Sequence, residues 1–113
     1  MPFIESKVSF PLSEEKKETI KSELGKAVSI LGKSESFLMV GFEDDYDLFM
    51  GGKKLDKGAF VSVKLFGQVS SIASKQMTEK ICAVFEEQLD IPGRSIYVTY
   101  QGIADWGWNG SNL

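Results

Sequence analysis

The stretch "MPFIESKVSF" (residues 1–10) alternates: Ile4, Val8 and Phe10 fall on one side, Glu5, Lys7 and Ser9 on the other. That period belongs to a half-buried strand. Pro11 ends it. Ser13 is then placed to cap a helix, and Glu14 and Glu15 put acid in its first turn, where the dipole favours it. Ile20, Leu24, Ala27, Val28 and Leu31 recur at i, i+4, i+7, i+8 and i+11, the stripe of an amphipathic helix. Gly32 stands where a left-handed residue stops such a helix. "SFLMVGF" (36–42) reads as a second, mostly apolar strand.

The same order returns about 57 residues further on. "AFVSVKLF" (59–66) is a strand, and Ser70 to Leu89 a helix with Met77, Ile81, Val84, Phe85 and Leu89 on one face. "SIYVTYQG" (95–102) is a fourth strand. Each helix gives way to glycine and a cation, "LGK" at 31–33 and "PGR" at 92–94. Between the halves, "EDDYD" (43–47) is a solvated turn that lacks the ligand spacing of a calcium loop. "LFMGG" (48–52) is a short strand and "KKLDKG" (53–58) a polar connector. The tail "IADWGWNGSNL" (103–113) is too short for another helix and too aromatic for a free end.

These readings predict one domain over residues 1–113, with halves of roughly 1–57 and 58–113. The fold class is α/β (α+β): two pseudo-symmetric βαβ units forming a four-stranded mixed sheet with both helices on one face. The other face is left uncovered, which predicts an oligomer.

Composition removes many chemistries. The chain has no histidine and one cysteine, Cys82. Histidine-dependent triads, a disulfide framework and the usual zinc and copper ligand sets are therefore excluded. Cys82 flanks the apolar helix face and is expected to be a buried small hydrophobe. With net charge −3 and no basic stripe, nucleic acid is not an expected partner. No apolar run reaches membrane-span length. The first ten residues lack both a basic start and an apolar run, so a cytoplasmic protein is expected, with secretion only by a leaderless route.

Few groups remain for chemistry. Lys33, just past a helix end, either caps the last carbonyls or presents an ammonium to a carboxylate or developing oxyanion. Tyr97 and Thr99 share one face of the last strand. The amino terminus differs in kind. An α-amine titrates near neutrality, and aminopeptidases generally remove methionine ahead of proline. Pro2 would then carry a secondary amine at a strand end. In an apolar site near a lysine its pKa should fall, giving the neutral base that a histidine-free chain otherwise lacks.

The chain resembles the macrophage migration inhibitory factor family of the tautomerase superfamily over nearly its whole length. The likeness rests on "MPFIE", "ILGKSESFLMV" (30–40), "LFMGG", "VSVKLFG" (61–67), "RSIYVTY" (94–100) and "WGWNGS" (106–111) in that order. It implies a homotrimer with active sites between subunits, and cofactor-free keto–enol tautomerisation of phenylpyruvate-like α-keto acids or isomerisation of dopachrome-like compounds. Pro2 matches the catalytic base. Lys33 matches the lysine that contacts substrate oxygens, and Phe66 stands where a backbone amide binds the carboxylate. Tyr97 matches a tyrosine lent by the neighbouring subunit, and Trp106 falls near an apolar wall position. Thr99 replaces an asparagine of mammalian relatives, which shortens or removes a side-chain hydrogen bond. The family's Cys-x-x-Cys motif aligns with Gly58 and Val61, so thiol-oxidoreductase activity has no basis here. Bulky Phe66 and Trp106 are expected to narrow or flatten the pocket. A tautomerase is the leading expectation, with no metal and no cofactor. A cytokine-like protein that binds a receptor, its tautomerase activity weak or vestigial, is the alternative, and a plain interaction module is the third.

Overall fold

The computed structural model describes residues 1–113. Strand β1 (Pro2–Val8) leads through a turn to helix α1 (Glu14–Ala27), which runs on as a 3-10 turn over Val28–Leu31. Strand β2 (Met39–Glu43) follows. After a small hairpin of β3 (Phe49–Met50) and β4 (Lys53–Lys54), the second half repeats the pattern: β5 (Ala59–Phe66), α2 (Ser71–Leu89) and β6 (Ile96–Ile103). A terminal hairpin, β7 (Gly107–Trp108) and β8 (Ser111–Asn112), closes the chain.

The sheet order is β2-β1-β5-β6. Strand β1 is parallel to β2 and β5 is parallel to β6, while β1 and β5 run antiparallel. Each half is thus a βαβ unit, and the two join about a pseudo-two-fold axis between β1 and β5. Both helices cover the same face, because every second residue of β1 and β5 is buried: Ile4, Ser6 and Val8 against Ala59, Val61, Val63 and Leu65. Ile20 and Leu24 of α1 and Met77, Ile81 and Phe85 of α2 complete one core. No helix is long and apolar enough to cross a membrane.

Local chemistry sets the helix ends. Ser13 accepts a hydrogen bond from the Lys16 amide and Ser70 one from the Ala73 amide, each an N-cap. Gly32 stops the first helical segment at φ 72°. The second helix ends differently from the sequence expectation. Asp90, at φ 57°, takes the left-handed position and its amide donates to the Glu86 carbonyl, whereas Gly93 opens a later 3-10 turn. Asp tolerates that conformation because its short polar side chain can bond locally.

Three further segments depart from expectation. Residues 35–37 form a 3-10 turn capped by the Ser34 hydroxyl, so β2 starts at Met39 rather than residue 36. The connector 53–58 begins as a strand, pairing Lys53 with Met50 and Lys54 with Phe49. The uncovered sheet face is also less apolar than its exposure suggested. Glu5, Ser62 and Thr99 form one cross-strand row, with Lys64 and Gln101 beside it. Aromatic residues sit at its ends: Phe3 and Phe66 at one, Phe60 and Tyr97 at the other.

Candidate active site

The amino terminus, the end of β5, the turn before β2 and the terminal hairpin meet at one end of the sheet. The first, third and fourth of these enclose a cleft of about 380 Å³, and the end of β5 stands behind its floor, outside the lining. Met1, Pro2 and Phe3 form its floor, Ser36 to Met39 one wall, and Trp106, Gly107 and Trp108 the other. Seven of these ten residues are hydrophobic, so the cleft favours an apolar or aromatic group. Phe37 and Trp108 meet edge to face at its rim, ring centroids 5.9 Å apart. Two other hollows, one at Phe10–Ser13 with Lys57 and one at Glu86–Arg94, are larger, at about 400 and 570 Å³. Neither holds a residue that the sequence offers for chemistry, and the second has a single hydrophobic residue in its lining.

Lys33 lies beside the cleft floor. Its ammonium donates to the Phe66 carbonyl at 3.1 Å. The side chain therefore does not cap α1; it ties the α1–β2 loop to the end of β5. The Phe66 amide donates to the Met1 carbonyl, also at 3.1 Å, continuing the β1–β5 ladder one step past Pro2. Burial first, and the Lys33 ammonium second, hold the Met1 α-amine below its ordinary value. Pro2 is buried and pairs with Leu65, which fixes where its nitrogen sits.

Four of the six predicted residues, Pro2, Lys33, Phe66 and Trp106, thus come together. Tyr97 and Thr99 do not. Tyr97 faces Phe60, at the far end of β5 from Phe66, roughly 20 Å along the strand. It is 57% exposed, and Thr99 is exposed too. Phe37 and Trp108 were not singled out by sequence reasoning. The aromatic density of the tail was the available signal for Trp108, whereas Phe37 reads as part of a strand until the Ser34 cap turns the chain.

Paired βαβ units around a buried amino-terminal strand define the fold class, and the cleft opens where that strand begins. The model of the macrophage migration inhibitory factor (MIF) family matches residues 1–113, and the chain belongs to that family. It is 28% identical over 99 residues to macrophage migration inhibitory factor of Xenopus laevis, covering 85% of each chain. Among solved structures it is similar to Leishmania major MIF2, with a TM-score of 0.94 and 32% identity over 100% of this chain and 97% of the other. It also shares its fold with Pt0534, solved after inactivation by 2-oxo-3-pentynoate, with a TM-score of 0.85 and 15% identity over 96% and 93% of the two chains.

Proposed function

We propose that the cleft is the active site of a cofactor-free keto–enol tautomerase acting on α-keto acids of the phenylpyruvate kind, with Pro2 as general base once Met1 is removed. The observation that carries this reading is the pair of hydrogen bonds at Phe66. While Met1 is present, it acylates the Pro2 nitrogen, and an amide nitrogen has no basic lone pair. Its carbonyl also occupies the Phe66 amide. Removing Met1 leaves a secondary amine and an unpaired backbone donor at the same spot, with the Lys33 ammonium adjacent.

The chemistry then follows from position. The Pro2 nitrogen takes a proton from the carbon next to the substrate carbonyl. The Lys33 ammonium keeps protons free beyond the one given to Phe66, and these hold the enolate oxygen. The Phe66 amide binds the carboxylate, and Phe37, Trp106 and Trp108 take the aromatic ring. The proton returns to oxygen, so nothing is consumed. The inactivation of Pt0534 by a 2-oxo acid supports the substrate class.

The position of Tyr97 supports a homotrimer. Tyr97 and Thr99 cannot reach the cleft of their own chain, but a neighbouring copy could bring them to it. The receptor-binding alternative has the name of the Xenopus relative behind it and no feature of the cleft. The test is turnover of phenylpyruvate by protein whose amino-terminal proline is verified by mass spectrometry. Catalysis that falls in part on Pro2→Gly is expected; absence of turnover by the processed protein would end this reading.

A further inference from the structure

Met1 lines the cleft and is half-buried. Its carbonyl accepts a hydrogen bond from the Phe66 amide at 3.1 Å, and the Phe66 carbonyl accepts one from the Lys33 ammonium at the same distance. The amide and carbonyl of one residue thus fix both the Met1 backbone and the Lys33 side chain. The α-amine of Met1, a primary amine, is therefore held near the Lys33 ammonium at the base of an apolar cleft. Both conditions favour its neutral form: burial first, and Lys33 second, hold it below the ordinary α-amine value. A neutral amine placed in this way is a carbonyl nucleophile, as a desolvated lysine beside another cation is in Schiff-base chemistry. The mechanism proposed for the processed chain does not use this group, which leaves with Met1.

We propose that the chain bearing Met1 captures an apolar α-keto acid covalently, as an imine on the Met1 α-amine. The apolar part of the acid lies against Phe37, Trp106 and Trp108, and its carboxylate pairs with the Lys33 ammonium. The lone pair of the Met1 nitrogen attacks the keto carbon, and one nitrogen proton passes to the carbonyl oxygen. The C–O bond of that carbinolamine then breaks, and hydroxide leaves with the last nitrogen proton as water while the C=N bond forms. One amine and one ketone give one imine and one water, and nothing is oxidised or reduced. Capture rests on the tautomerase reading only for the class of acid that the cleft accepts, and does not need Pro2 to act as a base.

The adduct goes no further. The Pro2 nitrogen is an amide in the Met1 chain, and no residue of the cleft lining carries a basic side chain. Nothing there takes a proton from the carbon next to the imine, so the new bond is undone only by water. Capture is stoichiometric, and it fits a Met1 chain that is nearly without turnover. The Phe66 amide, held by the Met1 carbonyl, is closed to the acid in this form, which leaves the carboxylate to Lys33.

The test is reductive trapping on the full-length chain, its Met1 verified by intact mass. Phenylpyruvate and cyanoborohydride are added near neutral pH, and the hydride converts the imine to a stable secondary amine. Intact mass should rise by one phenylpyruvate less one oxygen, and peptide mapping should place the addition on Met1. The folded chain should be labelled about tenfold or more faster than the guanidinium-unfolded chain, through the larger neutral fraction of the amine and the positioned carbonyl. Hydrocinnamate, which keeps the ring and carboxylate but has no keto group, should slow the labelling by competition. Lys33→Ala should lose most of the advantage of the folded over the unfolded chain. Label spread over the lysines, or a Met1 rate equal in the folded and unfolded chains, would overturn the proposal. So would labelling that hydrocinnamate leaves untouched. The processed chain has no Met1, so its turnover tests Pro2 alone and the two readings fail separately.

Discussion

Replacing Lys33 by alanine separates its two connections, one to the fold and one to chemistry. In the fold, the ammonium makes one hydrogen bond, to the Phe66 carbonyl at 3.1 Å. A hydrogen bond from a charged donor contributes about 1.5–3 kcal/mol when well buried. Lys33 is half-buried, and solvent screening reduces this to about 1 kcal/mol. For a domain of this size that is a fall in Tm of about 4 °C. In chemistry, losing one strong donor to a developing oxyanion costs about 10²–10³ in rate, or about 2.7–4 kcal/mol. The kinetic loss should therefore exceed the stability loss about threefold in free energy. Thermal unfolding and phenylpyruvate kinetics on one preparation of Lys33→Ala measure both. A loss of kcat/KM no larger than a few-fold, with Tm down by the expected amount, would refute the catalytic assignment and leave Lys33 as a loop tether.

Two other predictions concern the fold. Ser6 is fully buried in β1 and its hydroxyl has no hydrogen-bond partner, so Ser6→Ala should raise stability by about 1 kcal/mol in urea unfolding; a loss of that size would mean the hydroxyl is bonded after all. Asp44 accepts a hydrogen bond from the Leu12 amide at 2.7 Å, and chiefly for that reason its carboxyl titrates below the ordinary value. A carboxyl depressed by folding stabilises above its unfolded pKa and loses that contribution as pH falls through the folded one. The Tm advantage of the native chain over Asp44→Asn should accordingly shrink as pH drops below about 4; an advantage independent of pH would contradict the assignment.

Much of the architecture was legible because burial imposes a period. The alternation around Ile4 and Val8 and the stripe from Ile20 to Leu31 locate β1 and α1, and their recurrence in β5 and α2 gives the duplicated halves. What escaped is governed by single side chains or by pairing between distant residues. Asp90 ends α2 through a left-handed backbone that glycine would have announced. Ser34 turns residues 35–37 out of the strand by capping the Ser36 amide. The β3–β4 pairing makes a strand of two lysines that carry no strand signal of their own. Cys82 is half-buried against the core rather than fully enclosed, as its place on the flank of the stripe allows.

The site divides along the same line. Pro2, Lys33, Phe66 and Trp106 could be named from motif order, and they converge because β1 and β5 are neighbours in the sheet. No periodicity places Phe37 against Trp108, since that contact depends on a 3-10 turn and a terminal hairpin meeting in space. Tyr97 lies at the other end of β6 and Thr99 in its middle, and their distance from the cleft is what makes a neighbouring copy necessary to the proposed site.

The account turns on the nitrogen of Pro2, and the most direct measurement compares two forms of one protein. The chain bearing Met1 and the chain beginning at Pro2, each verified by intact mass, are assayed on phenylpyruvate across pH. Both should fold alike. The Met1 form should be nearly inactive, because its Pro2 nitrogen is an amide and its Met1 carbonyl holds the Phe66 amide. The processed form should be active. Its kcat/KM should rise with pH through a pKa below that of an ordinary α-amine: burial and then Lys33 hold the Met1 amine down, and Pro2, one residue further in, is more deeply buried. Equal turnover by the two forms would contradict the account, and Pro2 would then not be the base.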